Sequence, residues 1–373
     1  MNLKIAVLSG DGIGPEVTKE SVKVLKAVAE VYGHTFEFQE ALVGAIAIYE
    51  KENPLPEETL ALCKSSDAVL FGAIGDPKYD NNPDAKVRPE QGLLKLRKEL
   101  GLFANIRPIT AYDSLLEKSP LKKEIIQGTD MVIYRELTGG IYFGEKKLNE
   151  DKTIASDLCE YSQIEIERIA HLAFKAAQVR RKKVTLVDKA NVLETSRLWR
   201  RVVTALSKQY PDVTLDFLFV DNAAMQMILN PSQFDVILTE NMFGDIISDE
   251  GSVIGGSIGL LASASVGDGT ALFEPIHGSY PQATGKNIAN PIASILSAAM
   301  LLGHFGLNEE AKRIQEAVDR TLKNNIVSVD INKENPSSTS LIGDVIAEMI
   351  LVDDQSISSS FFENIKLGKS VYI

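Results

Sequence analysis

Asp245 and Asp249 stand four residues apart in the stretch Val236–Asp249, VILTENMFGDIISD. Residues four apart share a helix face, so the two carboxylates point the same way. The short apolar run Val236–Leu238 ahead of them reads as a buried strand. Parallel α/β sheets place their ligands just beyond such strand ends. Asp221 closes a second, mostly apolar run from Leu215 to Val220. Three hard oxygen ligands of this kind suit Mg²⁺ or Mn²⁺. A solvated acidic face favoured by a helix N-terminal dipole would give the same three residues.

Three arginines, Arg97, Arg107 and Arg135, could gather around a carboxylate-rich molecule, because the guanidinium fork matches carboxylates bidentately. Taken singly, each also fits a surface charge. Lys189 follows the apolar run Val184–Val187, and Tyr142 lies in a glycine-bounded segment. Beside a cation, a lysine and a tyrosine make an acid/base pair, since the cation lowers nearby pKa values. A packed aromatic and a solvated amine are the plainer readings. His277, in Glu274–Pro281 (EPIHGSYP), offers an imidazole and turn backbone to a phosphate or an adenine. His34, His171 and His304 show no metal-ligand spacing, and neither Cys63 nor Cys159 has a context that would activate a thiolate.

The elements that must position these groups alternate between strand and helix. Leu3–Leu8 is a strand signal running into Gly10-Asp11-Gly12-Ile13-Gly14-Pro15 and then an amphipathic helix. A dinucleotide fingerprint would need a third glycine where Pro15 sits, so the turn is read as a close backbone approach to a ligand. Further strand signals fall at Ala68–Phe71, Met131–Glu136 and Val184–Val187. Thr138–Gly144 is expected to be hairpin-like, with glycines at its bends, and a long helix is expected from about Ser162 to Ala177. The alternation implies an α/β fold. With 373 residues, two or three domains are expected. A net charge of −12 argues against nucleic acid as a partner. Two cysteines are too few for a disulfide framework and favour a reducing compartment. No apolar run is long enough for a signal or a membrane span, so a soluble, cytoplasmic protein is expected.

Seven motifs occur in one order: GDGIGPEV, LRKELGLFANIRP, YRELTGGIYFG, VDKANVLETSRLWR, VDNAAMQ, ENMFGDIISDE and EPIHGSYPQATGKNIANP. Together they resemble the β-decarboxylating 2-hydroxyacid dehydrogenases, the isocitrate and isopropylmalate dehydrogenase family, over about residues 3–350. The resemblance implies two α/β domains sharing a large mixed β-sheet, with the active cleft between them, and not a Rossmann fold. Residues 1–103 plus 256–373 would form the first domain and 104–255 the second, with an arm at about 138–155 pairing with its mate in a homodimer. The implied reaction is oxidative decarboxylation of 3-isopropylmalate in leucine biosynthesis, with NAD and Mg²⁺ or Mn²⁺ as cofactors. D-malate or tartrate oxidation is the enzymatic alternative. A metal- and anion-binding regulatory module without turnover is the non-enzymatic one.

Residue by residue, the resemblance implies that Arg97, Arg107 and Arg135 hold malate carboxylates. Asp221, Asp245 and Asp249 match the metal-binding aspartates, and Asp221 also borders the substrate. Lys189 matches the general base and Tyr142 the proton donor, with Asp221 and Lys189 contributed by the partner subunit. Glu90, Leu93, Leu94 and Val192 match the substrate-selecting positions. No serine that would bond an extra carboxylate lies between Pro89 and Lys95. Ile13, Asn191, Glu274, His277, Gly278, Ser279, Gln282 and Asn290 match cofactor positions. NAD-dependent relatives place an aspartate where Gln282 stands, and NADP-preferring relatives a lysine. Gln282 can bond a ribose hydroxyl, so NAD is expected over NADP. The tail beyond about Ile350 extends past the usual family end and receives no role.

Overall fold

The computed structural model describes residues 1–80, 82 and 85–352. The polar tail from Asp353 lies outside them. Two compact units emerge. Among the described residues, one comprises Met1–Leu96, Gly259–Ala262 and 272–352; the other comprises Arg97–Ile258 and Ser263–Ala271.

In chain order the first unit opens with β1 (Asn2–Gly10), α1 (Gly14–Tyr32), β2 (Thr35–Glu40), α2 (Ala45–Lys51) and α3 (Glu57–Ser65). β3 (Ala68–Ala73), the single turn α4 (Pro77–Asp80) and α5 (Pro89–Glu99) follow. The second unit contains β4 (Leu102–Thr110), α6 (Lys123–Ile126), β5 (Asp130–Glu136), β6 (Lys146–Leu148) and β7 (Ala155–Asp157). It continues with α7 (Gln163–Val179), β8 (Lys183–Asp188), α8 (Glu194–Ser207), β9 (Thr214–Phe219) and α9 (Val220–Leu229). β10 (Val236–Thr239), α10 (Asn241–Gly255) and β11 (Ala262–Gly267) come next. The chain then returns through β12 (Ala271–Pro275), α11 (Ile292–His304), α12 (Asn308–Lys323) and α13 (Thr339–Leu351). One mixed sheet of ten strands runs β2-β1-β3-β12-β11-β4-β5-β10-β8-β9.

In the first unit β1 lies parallel to both β2 and β3. Every residue of β3 is buried, which explains its unbroken apolar reading. Pro15 sits in the first turn of α1, where its missing N–H has no partner to lose. α1 packs on α11 and α13. α11 is apolar nearly all round (IASILSAAMLLGH), as a helix buried on every side must be.

In the second unit β5, β10, β8 and β9 are parallel, while β4 runs antiparallel to β5. Alternate residues of β5 face opposite ways. Val132 and Tyr134 pack with Ile169 and Phe174 of α7 and with Trp199 of α8. The other face, which carries Arg135, meets α10. α7 starts at a capping box: Ser162 accepts from Glu165 N, and Glu165 accepts from Ser162 N at 2.7 Å. Ser162→Ala should therefore lower stability by about 1 kcal/mol. The check is a lower urea midpoint at an unchanged slope.

One local expectation changes. Gly140–Tyr142 forms a 3₁₀ turn rather than a hairpin, and the short antiparallel pair falls later, at β6 and β7. Gly140 has φ +73°, and a Cβ there would come within 2.1 Å of the Tyr161 hydroxyl. The glycines serve to wrap backbone around Tyr161, not to reverse a strand. Among the described residues, no helix is long and apolar enough to cross a membrane.

Candidate active site

Four parallel strands end on the same edge of the second unit's sheet. Register places Arg135 of β5 beside Thr239 of β10, Thr239 beside Val187 of β8, and Asp188 beside Phe219 of β9. Arg135, Asn241, Lys189 and Asp221 are thus all at or just past carboxyl ends, where α/β sheets bind ligands.

Around Arg135 the expected groups converge. Its guanidinium is buried, and Nη1 donates to Asp245 Oδ1. Tyr142 O–H donates to Asp245 Oδ2 at 3.1 Å. Arg107, also buried, lies 3.6 Å from Asp245 and 3.7 Å from Asp249. Burial pulls the Arg135 pKa down to about 9; Arg107 adds to the pull, Asp245 opposes it, and Arg97 also bears on it. The three arginines are therefore electrostatically coupled, and Arg135 remains a cation at neutral pH. Gly244 permits this closeness, since a Cβ there would come within 2.7 Å of Arg135 Cγ. Partial burial and then Asp245 raise the Tyr142 pKa, which keeps the phenol protonated and donating.

Lys189 and Asp221 form a separate pair, with Nζ 2.5 Å from Oδ1. That hydrogen bond is the leading cause of Asp221's lowered pKa. Among the described residues no three acidic, histidine or cysteine side chains converge as a metal cage. The chain brings Asp245 and Asp249 together on one helix and holds Asp221 against Lys189. The donors fit a hard divalent cation: all are carboxylates, with side chains 38, 60 and 67 % exposed at Asp245, Asp249 and Asp221. Partial burial raises the Asp249 pKa, and Arg107 pulls against it. Asn191 and Val192 are exposed just after Lys189.

The buried polar residues behind this edge were not singled out by their sequence. Asn105 accepts from Arg107 Nε at 2.5 Å, and Ser248 accepts from Arg107 Nη1. Ser196 accepts from the Lys189 backbone N–H at 3.1 Å and donates to Glu240. Asn241 accepts from Arg135. The only sequence signal would have been polar residues at strand-facing positions, beside the motif aspartates.

In the first unit the expected cofactor residues other than Asn191, which belongs to the second unit, lie on and around two loops. Ile13 N–H donates to Ser279 O at 2.8 Å, and a Cβ on Gly12 would sit 2.0 Å from that same oxygen. The glycine turn therefore serves a backbone-on-backbone contact. Asp11 ties it down by accepting from Ala45, Ile46 and Gly75 N–H groups, while burial raises its pKa. The Glu90 carboxylate and Ser279 Oγ both border Gly75. Leu93 and Leu94 are half-buried on α5. Burial lowers the His277 pKa, so the ring is neutral at neutral pH. Its Nδ1 bonds Gly278 O at 3.0 Å and must carry the proton, which leaves Nε2 an acceptor. That Nε2 is buried with no hydrogen-bond partner among the described residues. An orphan acceptor of this kind fits a purine N–H donor. Glu274 is buried at the end of β12, and Gln282 is exposed. Asn290 is already committed: its amide donates to Asp330 at 3.1 Å and its oxygen accepts from Ile292 N.

The isocitrate/isopropylmalate dehydrogenase family model matches residues 4–346. The chain belongs to this family. It is 56 % identical over 334 residues to a 3-isopropylmalate dehydrogenase of Bacteroides fragilis, a match covering 90 % of this chain and 94 % of that protein. The 3-isopropylmalate dehydrogenase of Aquifex aeolicus is 48 % identical over 373 residues, 99 % of each. Among solved structures, the isocitrate dehydrogenase of Methylococcus capsulatus superposes with a TM-score of 0.86 at 34 % identity, covering 94 % of this chain and all of that one. A β-decarboxylating dehydrogenase of Thermococcus kodakarensis gives 0.77 at 36 % identity, covering 96 and 99 %. The α/β fold with its large mixed sheet is thus the fold of the isocitrate/isopropylmalate dehydrogenases.

Proposed function

We propose that this enzyme oxidises and decarboxylates 3-isopropylmalate, with NAD⁺ as oxidant, to 4-methyl-2-oxopentanoate and CO₂ in leucine biosynthesis in the cytoplasm. The observation that carries the reading is the Arg107–Arg135–Asp245–Tyr142 cluster, which joins carboxylate-binding cations to a protonated phenol. The names of the relatives point the same way.

Arg97, Arg107 and Arg135 orient the two malate carboxylates. A divalent cation, Mg²⁺ or Mn²⁺, held by Asp245, Asp249 and Asp221 of the partner subunit, would supply Lewis acidity beside the substrate hydroxyl. NAD⁺, held through Ile13, Asn191, Glu274, His277, Gly278, Ser279 and Gln282, would supply the hydride acceptor for C2. Lys189 takes the hydroxyl proton as that hydride leaves. Loss of CO₂ breaks the bond from C3 to its carboxylate and returns the electron pair to C3 and the C2 oxygen. Tyr142 then delivers its proton to C3. Lys189 and Asp221 act on the neighbouring copy's Arg135–Asp245 cluster, so the active form is a homodimer. Exposed apolar Met225 and Leu229 on α9 and Ile246 on α10, beside the acidic cluster, support that assembly.

Leu93 and Leu94 offer an apolar lining for the isopropyl group, against which a third substrate carboxylate would be left unpaired. Neutral Gln282 neither repels nor attracts a 2′-phosphate. Comparing kcat/KM for 3-isopropylmalate, D-malate and isocitrate with NAD⁺ and NADP⁺ tests these assignments. The isopropyl substrate with NAD⁺ should exceed every other pair by about tenfold or more. A higher value for D-malate or isocitrate would overturn the substrate, and NADP⁺ preference the cofactor.

A further inference from the structure

Asn241 occupies a position that the chemistry above does not use. It is buried as the first residue of α10, and its backbone N–H donates to Tyr161 Oη at 2.9 Å. Its side-chain oxygen accepts from Arg135 Nε at 3.0 Å and Nη2 at 2.8 Å. Its side-chain NH₂ donates to Gly139 O at 3.1 Å. The partners dictate the amide's orientation, because a guanidinium only donates and a carbonyl only accepts.

Gly139 lies three residues before Tyr142, on the turn that carries the phenol. The contacts therefore close a circuit: Asn241 to Arg135, Arg135 to Asp245, Asp245 to Tyr142, and Tyr142 back along its turn to Gly139 and Asn241. Both ends of the reaction, the carboxylate-binding cation and the proton donor, are set from one amide. We infer that Asn241 is the positioning residue that fixes Arg135 and Tyr142 relative to one another. This inference rests on the roles proposed above for those two residues.

An amide suits the position for an electrostatic reason. A carboxylate at this site would hold Arg135 as firmly, but it would cancel the charge needed for an anionic substrate and would face the Gly139 carbonyl with like polarity. Arg107 is held in the same way, by the neutral oxygen of Asn105. Each of these buried arginines is thus gripped at Nε by an uncharged acceptor, which leaves Arg135 Nη1 to reach Asp245 and Arg107 Nη2 to lie 3.6 Å from it.

The test is steady-state kinetics on four variants, with thermal unfolding to establish that each is folded. Asn241→Asp, an isosteric change, should raise KM for the dianionic substrate about tenfold or more, the range of a hydrogen bond to a charged group. Asn241→Ser shortens the side chain by one bond, so its hydroxyl reaches neither Arg135 nor the Gly139 carbonyl in the amide's place. It should raise KM and lower kcat, each about tenfold. The decisive comparison adds Tyr142→Phe. In that background Asn241→Ser should cost less than about twofold more in kcat, because residues acting as a unit are not additive. An equal loss in both backgrounds, or an unchanged KM for Asn241→Asp, would overturn the positioning role. Tyr142→Phe alone tests the underlying reading: unchanged turnover would remove Tyr142 from the chemistry whatever Asn241 does.

Discussion

Lys189→Ala enzyme should retain its fold and lose about 10²–10⁴-fold in kcat, the usual contribution of a general base. Mixed with Arg135→Ala enzyme, it should regain activity. Arg135, Asp245, Tyr142 and Arg107 form one cluster, while Lys189 is paired with Asp221. If the two clusters meet across a dimer, a mixed dimer has one site built from the Lys189→Ala subunit's intact Arg135 and the other subunit's intact Lys189. Its second site lacks both. Random exchange makes half of the dimers mixed, each with one working site of two, so about a quarter of the parental rate is expected for a symmetric dimer. If each chain supplied its own lysine, both sites of the mixed dimer would be dead. Subunit exchange is verified by mass difference before the assay, and absence of recovery after exchange would refute the shared site.

The same clusters mark how far the sequence could be read. The i, i+4 spacing of Asp245 and Asp249 and the strand-end placement of Lys189 and Arg135 follow from periodicity, and all four lie at those positions in the fold. The failed glycine fingerprint was informative in the same way. Gly12 is required by the Ser279 backbone, a purpose that needs no third glycine. What periodicity cannot supply is burial of polar groups by distant chain. Asn241, Asn105, Ser196 and Glu240 look like ordinary loop and helix residues until the arginines and the lysine beside them are in place. Thr138–Gly144 differs from its hairpin expectation for a related reason. Glycine-bounded apolar segments serve hairpins and wrapped turns alike, and the decision rests with Tyr161, about twenty residues away in sequence.

Glu240 supplies the second large effect, on stability rather than on rate. It is buried between β10 and α10, and desolvation lifts its pKa from 4.5 to about 7; Ser196's hydrogen bond opposes the rise and Asp188 adds to it. Cys159 and Tyr161 feel its charge in turn. Asp188 is itself held by Arg200 at 2.8 and 2.9 Å, so no cation compensates Glu240 directly among the described contacts. Below pH 4.5 the carboxyl is protonated in folded and unfolded chains alike, and folding is indifferent to pH at this group. Between 4.5 and about 7 the folded chain keeps a proton that the unfolded chain has released, so stability falls as pH rises. Above about 7 the loss is complete, and at roughly 1.4 kcal/mol per unit it amounts to about 3 kcal/mol. Glu240→Gln keeps an oxygen to accept from Ser196 and removes the titration. The variant should match the parent near pH 4.5 and exceed it by about 3 kcal/mol at pH 8, read from denaturant midpoints at the two pH values. A gap that shrinks with rising pH, or a variant less stable at pH 8, would mean that the carboxylate is compensated in the folded enzyme and that its charge supports the Ser196–Lys189 backbone rather than straining it.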